Sequence, residues 1–218
     1  MKKNVIISPS LLACDFSKIG DELKRIEDAG AEYIHLDVMD GIFVPNISFG
    51  QPVIKSLRKI SGLVFDVHLM ITDPIRYIDS FADAGADIIT VHLESADNIA
   101  RVLEYIKSKG IKASLSIKPK TPVAELKPYL PLLDMILIMS VEPGFGGQSF
   151  IEESTEKIRQ TKELTESLGY GNIDIEVDGG ISGKNVRQVI EAGANVIVAG
   201  SSVFHSDNIK EAVAALRG

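Results

Sequence analysis

Short runs of β-branched and aliphatic residues alternate along the chain with longer stretches in which apolar positions recur every three or four residues. The first pattern reads as strands buried on both faces, the second as amphipathic helices, and their strict alternation predicts parallel strands joined by crossover helices. Strands are expected at 5–11, 33–39, 63–70, 88–92, 112–117, 135–139, 174–177 and 196–199. Helical periodicity occupies 17–29, 52–60, 74–84, 98–109, 123–129, 152–168, 184–192 and 208–216. Ala29-Gly30-Ala31, Ala84-Gly85-Ala86 and Ala192-Gly193-Ala194 each put glycine where a left-handed cap would end a helix. Each then leads directly into a strand, which reads as an internal βα repeat.

Eight such units in 218 residues predict a (β/α)8 TIM barrel, one catalytic domain spanning residues 1–218. An open doubly wound sheet is the competing arrangement. It is disfavoured because no Gly-x-Gly-x-x-Gly follows the first strand, whereas glycine-rich loops follow the sixth, seventh and eighth.

Composition narrows the partners. A 45% hydrophobic content is enough for one continuous core, and 23 Lys+Arg against 30 Asp+Glu give a net charge of -7 with no basic run. Nucleic acid is therefore not expected as a partner. No apolar run approaches the roughly 20 residues that span a bilayer, so no membrane partner is expected either. Met1-Lys2-Lys3, followed by an apolar stretch closing on Leu11-Leu12-Ala13-Cys14, imitates a lipoprotein signal. Ser8, Pro9 and Ser10 interrupt that stretch, and it is needed as the first strand, so a cytoplasmic location is expected. Cys14 is the one cysteine, which excludes an internal disulfide and suits a small buried hydrophobe in a reducing compartment.

In a barrel of this kind the chemistry lies at the C-terminal ends of the strands. The second strand ends His35-Leu36-Asp37-Val38-Met39, and a period of two puts His35, Asp37 and Met39 on one face, towards the mouth. The third ends Asp66-Val67-His68-Leu69-Met70, with His68 and Met70 on a common face, and the seventh ends Glu176-Val177-Asp178. Any one of these polar residues alone reads more simply as a hydrogen-bonded structural group. Four of them facing inward at one end is different, because burying such groups without pairing or a metal costs several kcal/mol. Two imidazoles and two carboxylates suit zinc, ferrous iron, cobalt or manganese and do not choose among them. His92 and Glu94 close the fourth strand and read as supporting or structural residues; His205 reads as a helix-surface residue.

Three adjacent loops form the second signal: Gly144-Phe145-Gly146-Gly147, Gly179-Gly180 and Gly200-Ser201. Glycine lets backbone N–H groups wrap an anion, so these loops predict a phosphate cradle. They contain no Lys or Arg, and backbone dipoles are expected to hold the anion. A metal beside a phosphate cradle suits a small phosphorylated ketose. Asp37 and Asp178 are then placed as acid and base on opposite faces, one removing a carbon-bound proton and the other returning one. Met39, Met70 and Met139 are candidates to pack above a planar enediolate, or simply to fill the core.

The motifs also carry a resemblance. Ser8-Pro9-Ser10-Leu11-Leu12 with Asp15-Phe16, His35-x-Asp37-x-Met39-Asp40-Gly41-x-Phe43-Val44-Pro45-Asn46, Val67-His68-Leu69-Met70, Met139-Ser140-Val141-x-Pro143-Gly144-Phe145-Gly146-Gly147-Gln148, Val177-Asp178-Gly179-Gly180 and Ala199-Gly200-Ser201 stand in order over essentially the whole length. Together they resemble the ribulose-phosphate 3-epimerase family. The resemblance implies that His35, Asp37, His68 and Asp178 bind one divalent metal per subunit, zinc being the first expectation and Fe2+, Mn2+ or Co2+ the others. It implies that Asp37 and Asp178 form the acid–base pair, and that Ser10, His68, Gly144, Phe145, Gly146, Gly147, Asp178, Gly179, Gly180, Gly200 and Ser201 contact the sugar phosphate. It further implies a homo-oligomer in the pentose phosphate pathway that interconverts ribulose 5-phosphate and xylulose 5-phosphate. Cys14, Glu142 and Lys118 depart from the usual family residues without touching the metal set. Gly146 and Gly180 favour the pentulose over the sibling allulose 6-phosphate epimerase, which typically carries alanine and serine there. From another class, a metal-free phosphate-binding barrel, whether lyase, synthase or inactive sensor, is set aside by the four ligands.

Overall fold

The structure is a computed structural model that describes residues 3–218, so Met1 and Lys2 of the signal-like start lie outside the described residues. Eight parallel strands, β1 (Ile6–Pro9), β2 (Tyr33–Met39), β3 (Val64–Met70), β4 (Ile88–His92), β5 (Lys112–Ile117), β6 (Met135–Met139), β7 (Asp174–Asp178) and β8 (Val196–Ala199), pair in sequence order, and β8 returns to β1. A parallel bridge between Ser10 and His35 brings β1 against β2, completing a (β/α)8 barrel. Around it lie α1 (Ile19–Asp28), α2 (Gln51–Arg58), α3 (Ile78–Ala84), α4 (Ile99–Ser108), α5 (Glu153–Ser167), α6 (Val186–Ala192), the single turn α7 (Ser201–Phe204) and α8 (Ile209–Ala215). Among the described residues no helix is long and apolar enough to cross a membrane.

Two expected elements differ. The first strand stops at Pro9 rather than residue 11, because Leu11–Ala13 turn into a 3-10 segment closed by the Cys14 N–H on the Leu11 carbonyl. The helix expected at 123–129 is a 3-10 stretch over Val123–Leu132. Pro128 and Pro131 sit inside it, and prolines without an N–H cannot sustain the i to i−4 ladder.

Alternation along each strand separates two cores. Outward residues such as Ile34, Leu36, Val38, Phe65, Val67 and Leu69 pack with helix residues such as Leu23, Ile54 and Phe81 into one large apolar cluster. Inward residues Tyr33, Ile88, Met135 and Val196 make a separate cluster that plugs the N-terminal end of the barrel. Above this plug the interior turns polar, with Ser8, His35, Asp66, Thr90, Ser114 and Glu176 all buried. Barrel interiors are ordinarily filled by bulky aliphatic layers, so this polar stack is the departure that needs a chemical reason.

The Gly-Ala repeat has a structural counterpart. Gly30, Gly85 and Gly193 take positive φ as the caps require. The polar residue that precedes every second strand then accepts the N–H of the strand before it: Glu32 from Ile7 at 2.9 Å, Asp87 from Phe65 at 2.7 Å, Asp134 from Ala113 at 2.9 Å and Asn195 from Ile175 at 2.9 Å. Four like bonds lock the strands in pairs at the closed end, which holds the register on which the open end depends.

Candidate active site

Register sets the site. Asp37 stands opposite His68 across β2 and β3, and Met139 opposite Asp178 across β6 and β7, so four strand ends present polar or soft side chains at one level. Candidate ligand atoms of His35, Asp37, His68 and Asp178 all lie within 4.8 Å of one another. His35 Nε2 is 3.2 Å from His68 Nδ1, 3.4 Å from Asp37 Oδ1 and 4.0 Å from Asp178 Oδ2, and His68 Nδ1 is 3.1 Å from Asp37 Oδ1. A tetrahedron of ligands about 2.0–2.1 Å from zinc has edges near 3.3 Å, which the separations among His35, Asp37 and His68 match, while Asp178 at 4.0 Å would close in by a fraction of an ångström on a bound cation.

The electrostatics agree with that fit. Burial disfavours charge on His35, but Asp37, Asp66 and Glu176 outweigh it and raise the imidazole well above its ordinary value. Burial likewise opposes ionisation of Asp37, yet His35 and His68 hold its carboxyl well below the usual carboxylate range. Asp178 goes the other way, pushed up to about 6 by burial and by the charge of Asp37. Two carboxyl groups whose environments drive them apart are the usual mark of an acid and a base.

Asp66 and Glu176 were named in the sequence only as parts of strand strings, and the structure gives them a place of their own. Both are fully buried one layer below the ligands, and with His35 they form a second close cluster. Asp66 Oδ2 lies 2.6 Å from His35 Nδ1. Burial and the charge of Asp66 push Glu176 well above the carboxylate range. A period of two did place them on the inner face, at i−2 from His68 and Asp178, and that was the signal available. His92 also belongs to the centre: its Nε2 is 2.8 Å from His68 Nε2, and burial pushes the ring down to about 4.

Above the polar stack opens a cavity of about 320 Å³, at the small end of the ~300–1,000 Å³ of small-molecule sites. Ser10, Asp37, Met39, Met70, Met139, Gly144, Phe145, Gly146, Gly147, Asp178, Gly179, Gly180, Gly200 and Ser201 line it, so one chamber holds every predicted site residue except His35 and His68, which are buried beneath. Among the described residues no Lys or Arg lines it. Ser10 donates its hydroxyl to Asp37 Oδ2 at 2.6 Å. Ser140 ties β6 to the β7 turn, donating through Oγ to the carbonyls of Asp178 and Gly179 at 2.8 and 2.7 Å. Gly180 has φ +67, and a Cβ there would stand 2.4 Å from Phe150 N, so only glycine fits against the neighbouring loop.

The loop from 43 to 49 folds across the mouth. Val44 packs with Met39 and Met70, the Phe43 ring lies tilted against His92 with centroids 4.9 Å apart, and Asn46 Nδ2 donates to the Gly144 carbonyl at 3.0 Å. Asp40 pins its start by accepting the N–H groups of Ile42, Phe43 and Thr72. His205 is exposed after α7 as expected, whereas Cys14, expected as a buried hydrophobe, is half-buried against the core, its thiol pushed up to about 12 by burial and nearby acids.

A model of the ribulose-phosphate 3 epimerase family matches residues 6–204. The ribulose-phosphate 3-epimerase of Synechocystis is 49% identical over 100% of this chain and 95% of its own. That of Bacillus subtilis is 45% identical over 97% and 98%, and the chloroplastic ribulose-5-phosphate-3-epimerase of Arabidopsis thaliana 46% over 99% and 77%. Among solved structures, a mutant tryptophan synthase α-subunit from Pyrococcus furiosus superposes with a TM-score of 0.75 at 18% identity, covering 99% of both chains. A 3-hexulose-6-phosphate synthase gives 0.67 at 17%, covering 100% of this chain and 98% of that one. At such identities these two structures speak for the barrel alone.

Proposed function

Since the chain belongs to the ribulose-phosphate 3-epimerase family, we propose that residues 1–218 act as one catalytic domain that inverts the third carbon of a pentulose 5-phosphate, interconverting the ribulose and xylulose forms. The observation that carries this reading is the pair Asp37 and Asp178, brought from β2 and β7 to one cluster with two imidazoles, at the floor of a glycine-lined chamber. Neither carboxylate need move far to meet a substrate carbon held between them.

His35, Asp37, His68 and Asp178 would hold one divalent cation, zinc by preference. Bound there, it would supply Lewis acidity, polarising the ketone and stabilising the charge left when the neighbouring carbon loses its proton. One aspartate takes the C3 proton, the substrate becomes a planar enediolate, and the other aspartate delivers a proton to the opposite face of C3. Proton count is conserved, the two residues end with exchanged protonation, and solvent restores them. Which one acts as base depends on the epimer that enters. The loops at 144–147, 179–180 and 200–201 would receive the phosphate through backbone N–H groups, because the chamber has no cationic side chain to do so. Met39, Met70 and Met139 would cover the planar intermediate and keep water from it. Glycine at 146 and 180, where the sibling allulose 6-phosphate epimerase typically carries alanine and serine, supports the pentulose over the hexulose phosphate. We further propose a cytoplasmic homo-oligomer; the free thiol of Cys14 and the exposed Ile42 and Ile47 support these two assignments.

The test follows the proton. Ribulose 5-phosphate incubated in heavy water should gain deuterium at C3 as xylulose 5-phosphate appears in the NMR spectrum. Asp37→Asn and Asp178→Asn should each abolish both signals while leaving the far-UV circular dichroism intact. Near-normal turnover by either variant would refute the two-carboxylate mechanism, and equal turnover of allulose 6-phosphate would refute the pentulose preference.

A further inference from the structure

An imidazole that ligates a cation does so through a bare nitrogen, and its other nitrogen then carries the hydrogen. His35 turns Nε2 towards Asp37, Asp178 and His68, so its hydrogen sits on Nδ1 and is donated to Asp66 Oδ2 at 2.6 Å. His68 is turned the other way. Its Nδ1 faces Asp37 and His35, and its Nε2 lies 2.8 Å from His92 Nε2. Two facing nitrogens at that distance hold one hydrogen between them. With His68 Nδ1 bare, the hydrogen belongs to His68 Nε2, and His92 Nε2 can only accept it.

The requirement then passes outward. His92 must carry its own hydrogen on Nδ1, and Glu94 Oε2, 3.4 Å from that nitrogen, is the nearest carboxylate; the contact is electrostatic rather than a hydrogen bond, and Nδ1 has no hydrogen-bond partner among the described residues. Glu94 is itself anchored, its Oε1 accepting the Lys118 N–H at 3.0 Å and the Thr121 hydroxyl. The His92 ring is fully buried, with the rings of His68 and Phe43 at centroid distances of 5.0 and 4.9 Å.

We propose that the two imidazole ligands are fixed in opposite tautomers by separate arms, His35 by Asp66, and His68 by His92 with Glu94 behind it. His92 and Glu94 are thus positioning residues: they act through His68, touch no substrate, and set which of its nitrogens is presented. The arms differ in kind, one ending directly in a buried carboxylate and the other relayed through a neutral ring to a carboxylate at the protein surface. This inference rests on the metal-centre reading above.

Two measurements on the full chain test it. His92→Phe keeps the aromatic packing but removes the acceptor, and zinc affinity by chelator competition should fall roughly 10- to 100-fold, the usual effect of losing an outer partner of a metal ligand. His92→Gln puts an amide oxygen near the former Nε2 and should recover most of that loss. Independently of folding in any variant, the zinc-loaded parent can be examined by 15N NMR, where only four histidines contribute. His92 should appear as the Nδ1–H tautomer, His68 with its hydrogen on Nε2 and His35 with its hydrogen on Nδ1. The proposal is overturned by His92 protonated on Nε2, by a folded Phe variant that binds zinc as tightly as the parent, or by a Gln variant no better than Phe. A parent chain that takes up no divalent cation would instead sink the metal-centre reading, and this inference with it.

Discussion

Replacing Gly180 by alanine should separate the phosphate cradle from the metal centre. The residue sits at φ +67, where an L side chain costs about 1–2 kcal/mol. Its new Cβ would lie 2.4 Å from Phe150 N and 2.9 Å from both Gln148 O and Phe150 Cα. Ordinary contact begins near 3.5 Å, so the loop that carries residues 148–150 must retreat by about 1 Å. All three obstacles are backbone, which cannot rotate aside, and overpacking of this sort adds about 1–3 kcal/mol. The sum, about 2–5 kcal/mol, corresponds to a fall in Tm on the order of 10 °C for a domain of this length. Function should suffer selectively. Each backbone N–H moved off an anion forfeits about 1.5–3 kcal/mol, so KM for the pentulose phosphate should rise roughly ten- to hundredfold. Zinc affinity should stay within about twofold, because Asp178 is held two residues away by Ser140 and the β6–β7 ladder. Steady-state kinetics, calorimetry and chelator competition read the three quantities. An unchanged KM in a variant destabilised as expected would refute the phosphate assignment of this turn, and a collapse of zinc affinity would refute the separation of cradle from metal.

Acidity should couple to the cation. In the metal-free chain the Asp178 carboxyl is raised to about 6 and His35 is raised well above its ordinary value, and both shifts favour the protonated protein. A raised folded-state pKa means stability that is present at low pH and lost as pH rises, so the metal-free form should lose Tm from about pH 4 to 6 through Asp178 and again above about pH 6.5 through His35. A divalent cation neutralises Asp37 and Asp178 and displaces the proton of His35, so the gain in Tm on adding zinc should grow over the same intervals; a gain that shrinks with pH would count against the cluster as the binding site. At the far end of the barrel, Asp134→Ala removes the acceptor for the Ala113 N–H and the partner of Lys107. Stability should fall by about 1–3 kcal/mol while kcat and KM hold, and an unaltered Tm would show that the register bonds at the closed end contribute nothing.

His35, Asp37, His68 and Asp178 were legible before any coordinates because two rules reach them: strands alternate with period two, and barrels work at the C-terminal ends of their strands. The same period puts Asp66 and Glu176 on the inner face, yet it says nothing of which layers touch, so their cluster beneath His35 went unremarked. His92 was assigned a supporting part, but its contact with His68 Nε2 depends on ring rotation, for which a sequence has no notation. The 3-10 stretch at Val123–Leu132 was misread because apolar spacing there imitates a helix while two prolines forbid one. The strand ending at Pro9 was extended too far for a related reason: Leu11 is as buried as a strand residue, but the chain has already turned.

By itself the sequence determined the number and order of the βα units, the face each strand turns inward, the four metal-ligand candidates and the glycine loops, since all of these follow from local periodicity and residue chemistry. Tertiary structure alone decided which nitrogen of each imidazole faces the cluster, how close its atoms lie, and which carboxyl is held ionised and which is pushed up. Those properties depend on distances and burial between residues far apart in the chain, and electrostatic energies vary too steeply with both for any linear pattern to encode them.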